Sequence, residues 1–189
     1  AKSLWEKPQG KGDPLRMEKH FRVVPRGIAL VIGCCTFPTW NGYPGLFASL
    51  ATGNAVVVKP HPAAILPLAI TVKIVRDVLV DAGFDPNVVT LVAHAAADDA
   101  AQQLALRPEV RIIDFTGSSA NGNWLETHAR QAQVYTEKAG VNQVIVDSTP
   151  DLAGLARNLA FSLSLYTGQM CTAPQNIYVP RGGIDTYAR

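Results

Sequence analysis

Cysteine is scarce in this 189-residue chain: there are three, and two of them, Cys34 and Cys35, are adjacent. An odd count with a neighbouring pair does not make a disulfide framework. It fits a reducing compartment, so a cytoplasmic location is expected. Histidine is also sparse. His20, His61, His94 and His128 are scattered, no Cys/His cluster has metal-ligand spacing, and no metal is expected. No block of Lys and Arg stands out and the net charge is only +2, which argues against nucleic-acid or membrane-surface partners. No apolar run approaches the ~20 residues that span a bilayer. Residues 1–13 lack the apolar core of a signal peptide and any transit-peptide pattern; polar and Gly/Pro-containing, they read as an extended lead-in. There is no internal repeat and no low-complexity tract.

What is present is an ordinary globular balance, 48% hydrophobic and 17% charged, with ample material for a core. The length suits one domain, or one and a fraction. Short apolar runs alternate with longer stretches of helical spacing. Strands are predicted at 27–33, 54–59, 88–92, 110–115, 133–136, 143–146 and 176–179. Helices are predicted at 44–51, 67–81, 98–106, about 120–130 and 151–166. Gly83 closes the second helix and Asp151 stands near the start of the last. Strands alternating with helices imply an α/β fold with a doubly wound, mostly parallel sheet. Ligands of such sheets bind beyond the carboxyl ends of the strands, so chemistry is sought just after each strand. A small polar break at 138–140 marks a possible boundary.

Several residues stand at those positions, each with a plain alternative. Gly117, Ser118 and Gly122 belong to GSSANG, directly after a strand. The turn and the following helix N-terminus can receive a phosphate, though an ordinary βα turn accounts for them too. Lys59 ends NAVVVK, where it either reaches a ligand crevice or is simply solvated. Cys171, in TGQMCTAP, is a nucleophile if a turn exposes it and a packing residue otherwise. Glu137 closes QVYTE, as a general base or as a surface glutamate paired with Lys138. Asn41 can donate to an oxyanion, or its Asn-Gly dipeptide is a turn. Cys34, Cys35 and Trp124 read as core.

The order of these features is more specific than any one of them. Trp40-Asn41, ATGNAVVVKP (51–60), FTGSSANG (115–122), EKAG (137–140) and GQMCTAP (168–174) together resemble the aldehyde dehydrogenase superfamily over nearly the whole chain. The resemblance implies a Rossmann-like cofactor domain at 1–137 and the start of a catalytic domain at 138–189. It implies an NAD(P)-dependent oxidation of a small-molecule aldehyde to an acid. Cys171 would attack the carbonyl, Asn41 and the Cys171 N–H would hold the oxyanion, and Glu137 would activate the hydrolytic water. Lys59 would bind the adenosine ribose, and Trp40, His61, Gly117, Ser118, Gly122 and Lys138 would line the cofactor path. A CoA-acylating enzyme and a non-catalytic dinucleotide-binding module are the competing readings.

The departures from the family pattern carry further expectations. Members that prefer NAD often have a glutamate shortly after the cofactor lysine, whereas this chain reads Lys59-Pro60-His61-Pro62; NADP is therefore expected to be accepted beside NAD. Thr39 is inserted before Trp40, the stretch from Asn41 to Lys59 is short, and EKAG replaces Glu-Leu-Gly-Gly. These changes resemble the phenylacetate-degradation branch, whose substrate would be an aldehyde from aromatic-ring cleavage, CoA-linked semialdehydes included. Against the family the chain is expected to be partial at both ends and incomplete as an enzyme by itself. The whole protein is expected to be a homo-oligomer.

Overall fold

The structure, a computed structural model, describes residues 2–187. It begins with a hairpin, not the expected lead-in. Strands β1 (Lys2–Lys7) and β2 (Leu15–His20) pair antiparallel, from Lys2 opposite His20 to Lys7 opposite Leu15. Both strands are exposed throughout. Charged residues outnumber apolar ones in them, so the sequence pattern of a strand is weak here.

The centre of the chain is a parallel sheet. Its strands are β3 (Ile28–Ile32), β4 (Ala55–Lys59), β5 (Val89–Leu91), β6 (Val110–Gly117) and β7 (Gln133–Lys138), in the spatial order β5-β4-β3-β6-β7. Every neighbouring pair is parallel. The connections are α1 (Pro38–Ala51), α2 (Ile65–Asp81), α3 (Ala100–Ala105) and α4 (Ser119–His128). Alternate strand residues enter two separate cores. Ala29, Val31, Val56 and Val58 pack with Leu46 of α1 and Leu68 and Val72 of α2. Leu30, Ile32, Ile113 and Phe115 pack on the other face with Ala105 of α3 and Leu125 of α4. This is the expected doubly wound α/β fold, covered on both faces.

Helix α1 starts six residues before its predicted start, because Asn41-Gly42 and Pro44 read as turn signals in the sequence. Tertiary packing overrides them. Pro38 occupies the first turn, where a missing N–H costs nothing, and the two glycines let α1 lie close to its neighbours. A methyl group on Gly42 would come within 3.1 Å of Leu68, and one on Gly45 within 2.6 Å of Asp114. Helix α2 ends as expected: Gly83 takes a φ of +78°, its N–H bonds the Val80 carbonyl, and the Phe84 N–H bonds that of Leu79, the paired closure that satisfies a helix C-terminus. The α1–β4 turn is tied to the start of β3 by buried Asn54. Its Oδ1 accepts from the N–H groups of Arg26 (2.7 Å) and Gly27 (3.2 Å), and its Nδ2 donates to Thr52 Oγ1 (2.9 Å).

After β7 a separate two-stranded parallel sheet forms from β8 (Asn142–Ile145) and β9 (Pro174–Tyr178). Between them lies α5 (Leu152–Ser164), capped by Asp151, whose Oδ1 accepts the Gly154 N–H at 2.7 Å. A short helix, α6 (Ile184–Tyr187), follows. Among the described residues no helix is long and apolar enough to cross a membrane.

Leu68 is wholly buried and touches the positions of both Gly33 and Gly42. Leu68→Ala is expected to cost roughly 2–5 kcal/mol through the cavity it leaves, read as a lowered urea midpoint of the intact protein.

Candidate active site

The sheet reverses its direction of growth between β3 and β6, and a crevice opens at that point beyond the strand ends, as parallel sheets of this kind require. Its volume is about 640 Å³, and its walls include Gly33 and Cys34 after β3, Lys59 and His61 after β4, His94 after β5, and Thr116, Gly117 and Ser118 at the end of β6. Ser118 caps α4, its Oγ accepting the Asn121 N–H at 3.3 Å. The first N–H groups of α4 have no acceptor within the helix, and this helix end, the positive end of the dipole, borders the crevice at Ser118 and Asn121.

Lys59 is 5% exposed and has no hydrogen bond or ion pair among the described residues. Burial lowers its pKa, because a cation loses its hydration there. His61 is lowered as well, by burial first and then by Lys59 and His94. The His94 Nδ1–H donates to the Ala95 carbonyl at 2.8 Å, while its buried Nε2 has no partner. The carboxylates on this wall, Asp98 and Asp99, are engaged locally: Asp98 accepts the Ala95 N–H and Asp99 the Gln103 side chain. An unpaired lysine with two nearby imidazoles is an arrangement that favours an anion or a polyhydroxyl ligand.

A smaller cleft of about 240 Å³ lies on the α1 side of the sheet. It is lined by Trp40, Asn41 and Pro44 of α1, by Asp114 and Thr116 of β6, and by Tyr135 and Glu137 of β7. Phe115 and Thr116 border both cavities, so the end of β6 is their common wall. Glu137 meets the thiol here: Cys171 Sγ lies 3.8 Å from Glu137 Oε1. Cys171 is exposed and is held from behind by Asn142, whose Nδ2 donates to the Cys171 carbonyl at 2.6 Å and to that of Ala173 at 3.3 Å. The chain reaches Cys171 through a tight turn after α5, with Tyr166 and Thr167 in the left-handed region at φ 57° and 59°. The Tyr166 ring packs on Phe37 at 4.6 Å, which ties this turn to the loop before α1.

Of the residues singled out in the sequence, Glu137 and Asn41 line the smaller cleft, Cys171 touches Glu137, and Lys59, His61, Gly117 and Ser118 line the larger one. Trp40, 78% exposed, borders the smaller cleft, not the dinucleotide-sized one. Gly122 and Lys138 line neither. Gly122 is buried in α4, where a Cβ would stand 2.9 Å from Lys138 side-chain carbons. Lys138 Nζ bonds Asn123 Oδ1 at 2.7 Å and pairs with Glu126 at 2.8 Å, fastening β7 to α4. Cys35 is exposed, whereas Cys34 is buried as expected: the strand ends before them and the backbone turns Cys35 outward. Trp124 is only partly core, because it stacks on His128 and borders the larger crevice. Sequence reasoning missed His94, Asp114 and Asn142. His94 follows a predicted strand, the same signal that marked Lys59. Asp114 lies inside a strand, and Asn142 acts through a carbonyl 29 residues away, so neither has a local signature.

Fold and site together define a doubly wound α/β protein with an anion-accepting crevice at the switch point and a cysteine–carboxylate pair beside it. The chain belongs to the aldehyde dehydrogenase family, whose sequence profile matches residues 3–189. It is 72% identical to a crystal structure of an NAD-dependent aldehyde dehydrogenase from Burkholderia multivorans, with a TM-score of 0.83 over 96% of this chain and 33% of that one. It is 27% identical to glyceraldehyde-3-phosphate dehydrogenase from Methanocaldococcus jannaschii in complex with NADP, with a TM-score of 0.76 over 88% of this chain and 36% of that one. It is 28% identical over 174 residues to 3,4-dehydroadipyl-CoA semialdehyde dehydrogenase of Aromatoleum evansii, covering 87% of this chain and 32% of the relative. The chain therefore spans about a third of the length of these proteins.

The unpaired cation has a measurable consequence. Because the folded pKa of Lys59 is lowered, the unfolded chain binds more protons between the two values. Stability therefore rises as pH climbs from the folded pKa toward the ordinary 10.5. Lys59→Met is expected to raise the melting temperature of the intact protein at pH 7, with the gain vanishing above pH 10.5; a lowered melting temperature at pH 7 contradicts the buried, unpaired charge.

Proposed function

We propose that this chain carries the dinucleotide crevice and the nucleophile of an NAD(P)-dependent aldehyde dehydrogenase, and that Cys171 and Glu137 act in turn on the aldehyde carbon. The observation that carries this reading is the approach of the Cys171 thiol to the Glu137 carboxylate at 3.8 Å, beside a crevice whose lysine has no partner among the described residues. The crevice fits a dinucleotide. Its volume suits a ligand of that class, Lys59 offers an uncompensated donor for ribose hydroxyls or phosphate, and the α4 N-terminus offers backbone N–H groups to the pyrophosphate. Gly117 and Ser118 provide the turn between β6 and that helix.

Cys171, exposed to solvent, loses its thiol proton there and attacks the aldehyde carbon as thiolate. The Asn41 amide, in the same cleft, and the Cys171 backbone N–H donate to the resulting oxyanion. A nicotinamide held in the crevice would supply the hydride acceptor, and loss of hydride from the Cys171 adduct would leave a thioester on Cys171. Glu137 then takes a proton from water, whose oxygen attacks the thioester and releases the acid. A carboxylate placed against the thiol favours hydrolysis over transfer to CoA. Residues 1–137 form the cofactor-binding part in this reading and residues 138–189 open the catalytic part, a division supported by the end of the central sheet at Lys138 and the new sheet from Asn142.

NADP is accepted beside NAD. No carboxylate follows Lys59 to repel a 2′-phosphate, and His61 stands beside Lys59 on the crevice wall. The substrate is a semialdehyde from aromatic-ring cleavage, as in the phenylacetate-degradation branch. That assignment is supported by the shortened α1 segment, by the EKAG sequence and by the kinship with an enzyme named for a CoA-linked semialdehyde.

Three outcomes are expected with the intact protein. Cys171→Ala abolishes aldehyde-dependent reduction of NAD and NADP. Glu137→Gln gives one stoichiometric burst of reduced cofactor, followed by turnover slower by roughly 10²–10⁴; a strict requirement for CoA in the wild type would instead assign the acyl-transferring reaction. His61→Ala weakens binding of 2′,5′-ADP more than that of 5′-AMP by calorimetry, and equal losses for both would remove the 2′-phosphate assignment.

A further inference from the structure

Asp114 takes no part in the chemistry above, yet it stands inside the same cleft. Strand β6 alternates: Ile113 and Phe115 enter the core under α3 and α4, so Asp114 and Thr116 face α1. In the parallel register Asp114 lies opposite Tyr135, and Thr116 opposite Glu137. Asp114 and Glu137 are therefore diagonal neighbours on one face of adjacent strands, about 8 Å apart along the backbone from strand spacing and rise, a span that two carboxylates bridge through one water. Above Asp114 runs α1, which approaches it with Gly45: a Cβ there would fall 2.6 Å from Asp114 Cγ and 2.7 Å from Oδ2. The helix is thus closed down on the carboxyl group by the one residue type that leaves it room.

Nothing neutralises Asp114. It makes no hydrogen bond or ion pair among the described residues. The groups facing it are Trp40, Asn41, Pro44 and Gly45 from α1, and Tyr135 and Glu137 from β7; its neighbour on β3 is Val31. Tyr43 of α1 turns away to Thr71, and Lys138 is committed to Glu126 on the opposite face. Burial, and then the Glu137 charge, raise the Asp114 pKa, as expected for two carboxylates in one cleft.

We propose that Asp114 is a positioning residue for Glu137, receiving through a bridging water the proton that Glu137 removes from the hydrolytic water. This rests on the hydrolytic reading above. In the step, a water O–H bond breaks and a Glu137 O–H bond forms. The hydroxide oxygen bonds the thioester carbon, the C–S bond breaks, the carboxylic acid leaves and Cys171 departs as thiolate. The Glu137 O–H bond then breaks as an Asp114 O–H bond forms, which returns Glu137 to its basic form, and Asp114 releases the proton to solvent through the open side of the cleft.

The test is Asp114→Asn in the intact protein, which keeps the shape and removes the ionisation. The expected result is an unchanged burst of reduced cofactor and unchanged KM, with steady-state turnover lowered at least about tenfold. Acyl-enzyme on Cys171 accumulates in the mass spectrum, and the acid limb of the kcat–pH profile moves to lower pH. A wild-type rate and limb, or a burst that falls in step with turnover, overturns the assignment. If Asp114→Asn does not fold, carboxyl ¹³C titration of Asp114 in wild type and Glu137→Gln decides: a midpoint that drops when Glu137 is neutralised supports the pair, and an unmoved midpoint overturns it. Full turnover by Glu137→Gln would instead remove the hydrolytic reading itself.

Discussion

All five strands of the central sheet run the same way, so their carboxyl ends lie along one edge, and the larger crevice is built along that edge. In a parallel ladder the residue after each strand is brought beside the residue after its neighbour, however far apart they are in the chain. Gly33, Lys59, His94 and Ser118 meet at the larger crevice for this reason alone. The reversal of strand order between β3 and β6 separates the connections on the two faces and leaves the opening between them. The two apolar cores hold that arrangement, since a shift of one residue in any strand would send its apolar side chains to the wrong face.

The end of β6 divides two electrostatic environments. On one side the crevice presents Lys59 with two imidazoles and the N-terminus of α4. On the other, the smaller cleft presents Glu137 and Asp114 with no cation among the described residues that line it. Phe115 and Thr116 form the wall between these regions. An anionic, hydroxyl-rich ligand is favoured on the first side and proton abstraction on the second.

Cys171 arrives from outside this frame. It is not on the central sheet, and its position depends on the Asn142 bond to its carbonyl, on the left-handed turn at Tyr166 and Thr167, and on the Phe37–Tyr166 contact. Asn142 stands four residues beyond the end of β7, so the segment that places the thiol is anchored close to Glu137. The distance between the two is thereby set by a short stretch of chain and one hydrogen bond.

The alternation of apolar runs, the glycine that closes α2 and the aspartate that caps α5 are local matters, governed by strand period, backbone freedom and capping chemistry. The sequence by itself therefore determined the element order, the doubly wound sheet and the ordered motifs of the family, with Lys59, Glu137 and Cys171 among the residues that mark it. It misjudged β1, β2 and the start of α1, where exposed charge or a glycine and a proline hid the pattern. Tertiary structure alone decided that Gly122 and Lys138 fasten α4 to β7, that Cys35 is exposed, and that His94, Asp114 and Asn142 belong to the site. The physical reason is that each of those outcomes depends on contacts between elements distant in the chain, and local propensity carries no record of which partner a side chain will meet.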